Sequence, residues 1–247
     1  MLKGPARILG LISIAAISNV WAQNVTPPNP ETLYYNVEWR LITAGKAKVQ
    51  WQRGPSGWQV NVHLESTGLV SKLFRVDDDY SANLRNSLCA VSSQFLSHEG
   101  SRVRETKITF DSNAQKAIYV ETDRVKNAVA LSKETETPPC VHDVAGGLYY
   151  MRTLNLEPGQ TATEAVTDGK KSAMAKIEAQ AREDVKTPDG VFHTIRYEAY
   201  LFNGALYKRP AHLNVWLTDD ARKLPVQIRV RMSIAVGTIT LQLEKHE

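Results

Sequence analysis

The amino-acid sequence predicts a mainly β protein: a curved antiparallel sheet forming a barrel or half-barrel, with one packed helix. Three observations lead to this prediction. Apolar residues occupy every second position from Leu224 to Met232, with polar residues between them, as in a half-buried strand. A second run with the same period covers residues 33–51. Turn residues such as Asp219-Asp220 and Gly237 separate successive runs at short intervals, as in an antiparallel meander.

The first strands of the chain are predicted to form a meander. Residues 33–41, 47–51 and 58–64 alternate between apolar and polar, and a Gly-Pro-Ser-Gly turn separates the last two runs. Three tryptophans, Trp39, Trp51 and Trp58, fall on the faces assigned to the interior. Ordinary core packing explains any one of them, and a ligand groove would use the same faces.

The middle of the chain is less regular. Residues 68–74 fit either one short helical turn or an apolar loop that plugs an end of the sheet. Strands are predicted again at 76–84, 91–98, 103–110 and 116–122. A loop is predicted for residues 127–139, because Pro138-Pro139 disfavours a helix there.

One helix is predicted, over residues 142–154. Asp143 can cap its N-terminus, and Val144, Leu148 and Met151 fall on one face. The pair Gly146-Gly147 costs about 1 kcal/mol per residue relative to alanine. We therefore expect close backbone approach at these glycines, most simply against the sheet.

After the helix, Asp168-Gly169 is a strong hairpin signal. The following run, residues 170–182, places Ala175, Ile177 and Ala179 on one face of a strand, although its Ala and Glu content also suits a helix. As a strand, it would leave room inside a curved sheet. A strand over residues 191–202 leads to the closing meander.

The first residues indicate export. Lys3 and Arg7 precede a short apolar run, residues 8–20, and Val20-Trp21-Ala22 has small residues at the two positions a signal peptidase recognises, which predicts cleavage after Ala22. We predict a signal peptide, residues 1–22, followed by a single β-rich domain, residues 23–247, in the periplasm; an N-terminal membrane anchor is the alternative. Removing the segment lowers the formal net charge from +4 to about +2.

Charge and hydropathy limit the partners. Acidic and basic residues are interspersed, so no basic stripe suggests a nucleic-acid surface. No apolar run after residue 22 has the length of a transmembrane helix.

Two cysteines follow the signal peptide, Cys89 and Cys140. In an oxidising compartment such a pair favours a disulfide. Two buried free thiols are the alternative. Neither has a second cysteine nearby, which disfavours a metal or redox site.

No cluster of residues predicts catalysis, a metal or a cofactor. The run Asp77-Asp78-Asp79 lacks the spacing of a calcium loop. The pair Asp219-Asp220 is more typical of a turn than of acid–base chemistry. His142-Asp143 beside Cys140 could suggest a Cys/His nucleophile, but capping and disulfide formation account for these residues.

The order of several turn and strand residues is similar to a family of secreted bacterial proteins known as the domain of unknown function DUF3108. The resemblance spans nearly the whole chain after residue 22 and lies in Leu33-x-Tyr35-x-Val37-x-Trp39, Gly45, Asp143, Leu148-Tyr149, Arg152, Gly159, Asp168-Gly169-Lys170, Thr187-Pro188-x-Gly190, Trp216-x-x-Asp219-Asp220-x-Arg222-x-Leu224-Pro225-Val226 and Gly237. It implies an exported β-rich protein and carries no established activity.

A long sheet covered by one helix would either close on itself or leave an apolar groove. The leading hypothesis is therefore a non-catalytic periplasmic carrier that binds an amphiphilic, lipid-like envelope component at Trp39, Trp51, Trp58, Ala175, Ile177 and Ala179. An envelope scaffold or accessory protein that binds a protein or glycan partner is the alternative. A hydrolase is the third and weakest reading.

Overall fold

The structure, a computed structural model, describes residues 29–202, 204–232 and 237–247. In these ranges the chain forms fourteen strands and two helices. The predicted signal peptide, residues 1–22, lies outside the described residues. The strands are β1 Glu31–Trp39, β2 Ile42–Gly54, β3 Gly57–Ser66, β4 Asp77–Leu84, β5 Ala90–Glu99, β6 Arg102–Asp111, β7 Lys116–Asp123, β8 Ala128–Glu136, β9 Thr161–Thr167, β10 Ser172–Thr187, β11 Gly190–Ala199, β12 Ala211–Thr218, β13 Pro225–Met232 and β14 Thr238–His246. The helices are α1 Gly68–Leu73 and α2 Val144–Thr153.

All fourteen strands belong to one antiparallel sheet. Its order is β8-β7-β6-β5-β4-β3-β2-β1-β14-β13-β12-β11-β10-β9. Apart from β8 and β9, consecutive strands of the chain pair with each other, and β1 pairs with β14 so that the first and last strands meet in the middle. The two edge strands, β8 and β9, are joined through the segment that contains α2. α2 packs against the inner face of the sheet, where Tyr149 stacks on Trp51 of β2.

The sheet curls, but its two edge strands, β8 and β9, are not hydrogen-bonded to each other as a strand pair in the part of the chain that the structure describes. The turn between β9 and β10 reaches β8, where Lys133 Nζ and Thr135 Oγ1 both donate to the carbonyl oxygen of Lys170, at 2.5 and 3.0 Å. A Cβ added at Gly169 in this turn would lie 2.6 Å from Ile108 of β6. The two ends of the sheet are therefore in contact, which gives a barrel-like shape.

The interior is filled by side chains from the inner face of the sheet and from α2. Along β1 the burial alternates strictly, with Leu33, Tyr35 and Val37 facing inward. Tyr149 and Met151 of α2 are each 3% exposed and pack against different halves of the sheet. Neither helix in the described ranges has the length and apolar character needed to cross a bilayer.

The predicted fold class is confirmed, as are both terminal meanders and the strand, rather than helix, over 170–182. The loop predicted for 127–139 is wrong, because it contains β8. Almost every residue of β8 is exposed at the edge of the sheet, so apolar alternation was not required there. Of the two predictions for residues 68–74, the short helical turn is confirmed by α1, and the apolar plug is wrong because α1 has no buried residue.

Candidate functional site

The predicted disulfide is present. Cys89 and Cys140 are bonded, with Cα atoms 5.1 Å apart and 51 residues of separation. It fixes the segment before α2 to the turn between β4 and β5. His142, two residues after Cys140, donates from Nδ1 to the Leu88 carbonyl oxygen at 3.0 Å, and burial lowers its pKa. Since the sulfur of Cys140 is consumed in the disulfide, these residues offer no Cys/His nucleophile.

The tryptophans of the predicted groove separate into two places. Trp51 and Trp58 are 1% and 4% exposed, and the Trp51 ring stacks on Tyr149 of α2 with centroids 3.3 Å apart. Trp39 lies at the far end of β1 and is 37% exposed, so its predicted interior position is wrong. Trp39 is the last residue of β1, where the alternation of buried positions ends.

The predicted alanine row is buried. Ala175, Ile177 and Ala179 are each at most 1% exposed. Ile177 and Ala179 pack in the cluster that contains Met151 of α2, and Ala175 packs in another with Leu206. The room that small side chains leave inside the sheet is thus occupied by protein.

A buried ion pair fastens α2 to β1. Both carboxylate oxygens of Glu31 accept from Arg152, from Nη1 at 2.6 Å and from Nη2 at 2.8 Å. The same guanidinium donates from Nε to the Lys223 carbonyl at 3.0 Å, and Tyr149 donates its hydroxyl to Glu31. Burial alone would lower the pKa of Arg152, but its hydrogen bonds to Glu31 raise it on balance. Each of the three guanidinium nitrogens of Arg152, and the Tyr149 hydroxyl, donates to a protein oxygen, which indicates a structural role.

Sequence reasoning missed this pair, although a signal was present. Glu31 continues the inward-facing positions of Leu33 and Tyr35, and Arg152 lies one turn beyond Leu148 on α2. A charged residue at an inward position of each element requires an opposite charge. Nothing local indicates that the two are each other's partners.

A second group of buried carboxyls lies beneath the start of α2. Asp143 caps the helix by accepting from the Gly146 amide at 2.7 Å, as predicted, and Tyr80 donates its hydroxyl to Asp143 at 2.5 Å. Glu164 of β9 is 4% exposed, and its Oε1 lacks a hydrogen-bond partner among the described residues. Burial, with the nearby Asp143 charge, raises the pKa of Glu164 to about 8. A Cβ added at Gly147 would lie 2.7 Å from that oxygen, which is the close approach expected there.

The outer face of β2–β6 carries a row of polar side chains. Gln50, Asn61, Ser81, Gln94 and Lys107 are direct partners on successive strands, so they point to the same side of the sheet. We call these five residues the polar row. Strands lie about 4.8 Å apart, so the row extends roughly 19 Å across the sheet.

Two shallow cavities adjoin along the polar row. The larger, about 260 Å³, spans Gln50, Asn61, Ser81 and Gln94, and the smaller, about 180 Å³, continues from Ser81 and Gln94 to Lys107. Their other lining residues are Lys48, Val62, His63, Asp79, Tyr80, Asn83, Ser92, Ser93, Leu96, Ile108 and Thr109. None of the predicted groove residues lines either cavity. The two cavities therefore combine the polar side chains of the row with apolar neighbours, among them Val62, Leu96 and Ile108.

His63, Asp77 and Asp79 lie together at one end of this surface, with ligand atoms within 4.8 Å of one another. His63 Nδ1 is 2.9 Å from Asp79 Oδ1, and Arg75 donates to Asp77 at 2.9 Å. Hydrogen bonding within the group and the Arg75 ion pair account for these charges. The pair Asp219-Asp220 forms a turn in which Asp220 accepts from the Arg222 amide at 3.0 Å.

The comparison with protein families matches residues 34–244 to the model described as "Protein of unknown function (DUF3108)". The chain belongs to the DUF3108 family. The resemblance inferred from the turn and strand residues is thereby confirmed, and DUF3108 membership carries no assigned activity. A search of the curated proteins finds no relative of this DUF3108 chain.

Solved structures resemble this DUF3108 member in fold. A β-barrel-like protein of the DUF1849 family from Brucella abortus superposes with a TM-score of 0.58 and 8% identity, over 90% of this chain and 98% of that one. A DUF1089 family protein from Pseudomonas aeruginosa reaches a TM-score of 0.40 at 13% identity, over 76% and 90% of the two chains. At these identities, the first shows a shared barrel-like fold alone, and the second is too distant to support an argument.

Proposed function

We propose that this protein is a non-catalytic cell-envelope protein that binds a glycan along the polar row. The observation that carries the proposal is the continuity of the two outer-face cavities through Ser81 and Gln94. Amide and hydroxyl side chains both donate and accept hydrogen bonds, which suits a ligand made of hydroxyl groups. An envelope location is supported by the disulfide, because such bonds persist in oxidising compartments.

A glycan fits the polar row better than a protein partner does. The centres of protein interfaces are enriched in aromatic residues and depleted of charge, and their binding energy concentrates in buried anchors. The polar row contains no aromatic residue. Its length of roughly 19 Å suits an extended chain of sugar units rather than a single small molecule.

The test is a titration of the purified protein with soluble fragments of envelope glycans, namely peptidoglycan fragments and delipidated lipopolysaccharide, followed by calorimetry. Replacing Asn61 and Gln94 together with alanine should weaken binding about thirtyfold, since each removes a hydrogen bond worth roughly 1 kcal/mol. Ser132→Ala on the exposed edge strand β8 is the control and should leave affinity unchanged. Absence of binding to either glycan, or equal binding by the double variant, would reject the proposal.

Carriage of an amphiphile is the second candidate, with Trp39, Trp51, Trp58, Ala175, Ile177 and Ala179 as the proposed contacts. Supporting it, small apolar side chains line the inner face of β10 beneath Met151 of α2. A ligand could reach them only if α2 moved, and the buried Arg152 ion pair opposes that movement. Native mass spectrometry tests this candidate: an extra mass that organic extraction identifies as a lipid would favour it over glycan binding.

A further inference from the structure

One end of the molecule exposes a concentrated apolar surface. In the described ranges, fifteen large apolar side chains are exposed, and six of them lie in two short segments. We call this set the apolar end; it consists of Trp39, Leu41, Ile42, Leu69, Leu73 and Phe74. Leu41 is 91% exposed and Leu73 78%. Single exposed apolar residues are ordinary, but a contiguous group marks an interaction surface.

The two segments adjoin in space. The first is the hairpin between β1 and β2, in which Trp39 pairs with Ile42. The second is α1, whose entry residue Thr67 donates its amide to the Ala44 carbonyl of β2 at 2.9 Å.

The tip of the hairpin is built from residues that the turn does not favour. Arg40 and Leu41 are the two central residues, and both have positive φ, 51° and 70°. Asn-Gly is the preferred pair in such a turn, because left-handed backbone is unfavourable for a side chain like leucine. Leucine here gains no burial in return, so folding does not explain it. Strain retained at an exposed tip is a reason to look for a binding role.

Basic residues border the apolar end. Arg40, Lys72 and Arg75 are all exposed. The Arg40 guanidinium lies 5.3 Å from the centroid of the Trp39 ring. Arg75 also pairs with Asp77. α1 has no acidic residue in its first turn and carries Lys72 in its last. Apolar residues next to arginine and lysine match the boundary of an anionic bilayer, where tryptophan is also favoured.

We propose that the apolar end docks this protein onto the surface of an anionic phospholipid bilayer, with Leu41, Leu73 and Phe74 entering the acyl boundary and the basic side chains contacting phosphate groups. This surface is separate from the polar row. A docked molecule would therefore keep its proposed glycan-binding face available.

The experiment measures co-flotation of the protein with vesicles of phosphatidylcholine alone and of phosphatidylcholine mixed with phosphatidylglycerol. An uncleaved N-terminal apolar segment would bind vesicles by itself, so the exported, processed protein is used and its N-terminus is read by mass spectrometry. We expect binding to the mixed vesicles that weakens with added salt. Leu41→Gly and Leu73→Ser should each weaken it about tenfold or more, the loss expected from one buried leucine side chain.

Two controls separate docking from folding. Leu41→Gly should leave the melting temperature unchanged or higher, since glycine tolerates positive φ. Met174→Ser removes another exposed apolar side chain, from β10 and 61% exposed, and should not change vesicle binding. Brominated phospholipid should quench the fluorescence of Trp39. The Trp39→Phe variant should show no such quenching, because Trp51, Trp58 and Trp216 are buried.

Three outcomes would overturn the proposal. In the first, the unaltered protein does not bind vesicles that contain phosphatidylglycerol. In the second, Leu41→Gly and Leu73→Ser bind these vesicles as well as the unaltered protein does. In the third, the unaltered protein forms a concentration-dependent dimer that these variants abolish. The last result, seen by analytical ultracentrifugation without lipid, would assign the apolar end to a second copy of the chain.

Discussion

Glu31 and Arg152 form a buried, bidentate ion pair between the first strand and the helix that packs inside the curled sheet. They are 121 residues apart in the chain. Arg152 is 0% exposed and also donates to the carbonyl oxygens of Lys223 and Arg222. Its guanidinium therefore joins α2 both to β1 and to the turn before β13. The pair determines where α2 lies.

Removing either charge of this pair should strongly destabilise the protein. Arg152→Met leaves the Glu31 carboxylate buried without its partner, and the expected loss is about 3–5 kcal/mol in the free energy of unfolding. The double variant Glu31→Leu, Arg152→Met should lose much less than the sum of the single changes. Urea denaturation of the four proteins measures this coupling. Additive losses would contradict a direct interaction.

The disulfide should contribute substantially to stability. It closes a loop with a separation of 51 residues, for which the chain-entropy model gives about 4 kcal/mol. Replacing Cys89 and Cys140 together with serine should lower the free energy of unfolding by about that amount. Urea denaturation of the unaltered protein in the presence of a reductant should give a midpoint similar to that of the double serine variant. Insensitivity to both changes would show that the loop is already restrained without the bond.

Gly45 should not tolerate a side chain. A Cβ there would approach the backbone of Glu65, which cannot rotate away, so Gly45→Ala should destabilise the fold by about 1–3 kcal/mol. The matched control is Gly54→Ala in the same strand, where the nearest atoms lie 4.0 Å away. Equal melting temperatures for the two variants would contradict the close approach of β2 and β3 at Gly45.

The stability of the protein should fall as pH rises from about 4.5 to about 8. The pKa of Glu164 is raised to about 8 in the folded protein, so folding favours its protonated form. Its contribution is complete below the pKa of an unfolded glutamate and is lost as pH rises toward about 8. Burial also raises the pKa of Asp143 and of Tyr80, and these changes act in the same direction, whereas the lowered pKa of His142 acts on the acid side.

The neutral variant Glu164→Gln isolates this effect. Urea midpoints measured from about pH 5 to about pH 9 should fall less steeply for the variant than for the unaltered protein. The two proteins should differ most at the alkaline end. Parallel curves would mean that Glu164 is solvated in the folded state and has no raised pKa.

Local patterns were sufficient to predict most of the fold. A period of two in hydrophobicity depends on a few neighbouring residues, so β1, β2, β3 and the closing strands were predictable, as was the cap Asp143. The pattern fails where a strand has no buried face. β8 is such a strand, at an exposed edge, and it was predicted to be a loop.

The sequence by itself determined the β class, the family pattern, the cysteine pair and the helix start. The tertiary structure decided which residues meet: that β1 pairs with β14, that Arg152 finds Glu31, and that α2 fills the space above the alanine row. It also decided that the polar row lies in register across five strands. The physical reason is that alternation records only which face of a strand is buried. The partners of that face are brought from distant parts of the chain by the curling of the whole sheet.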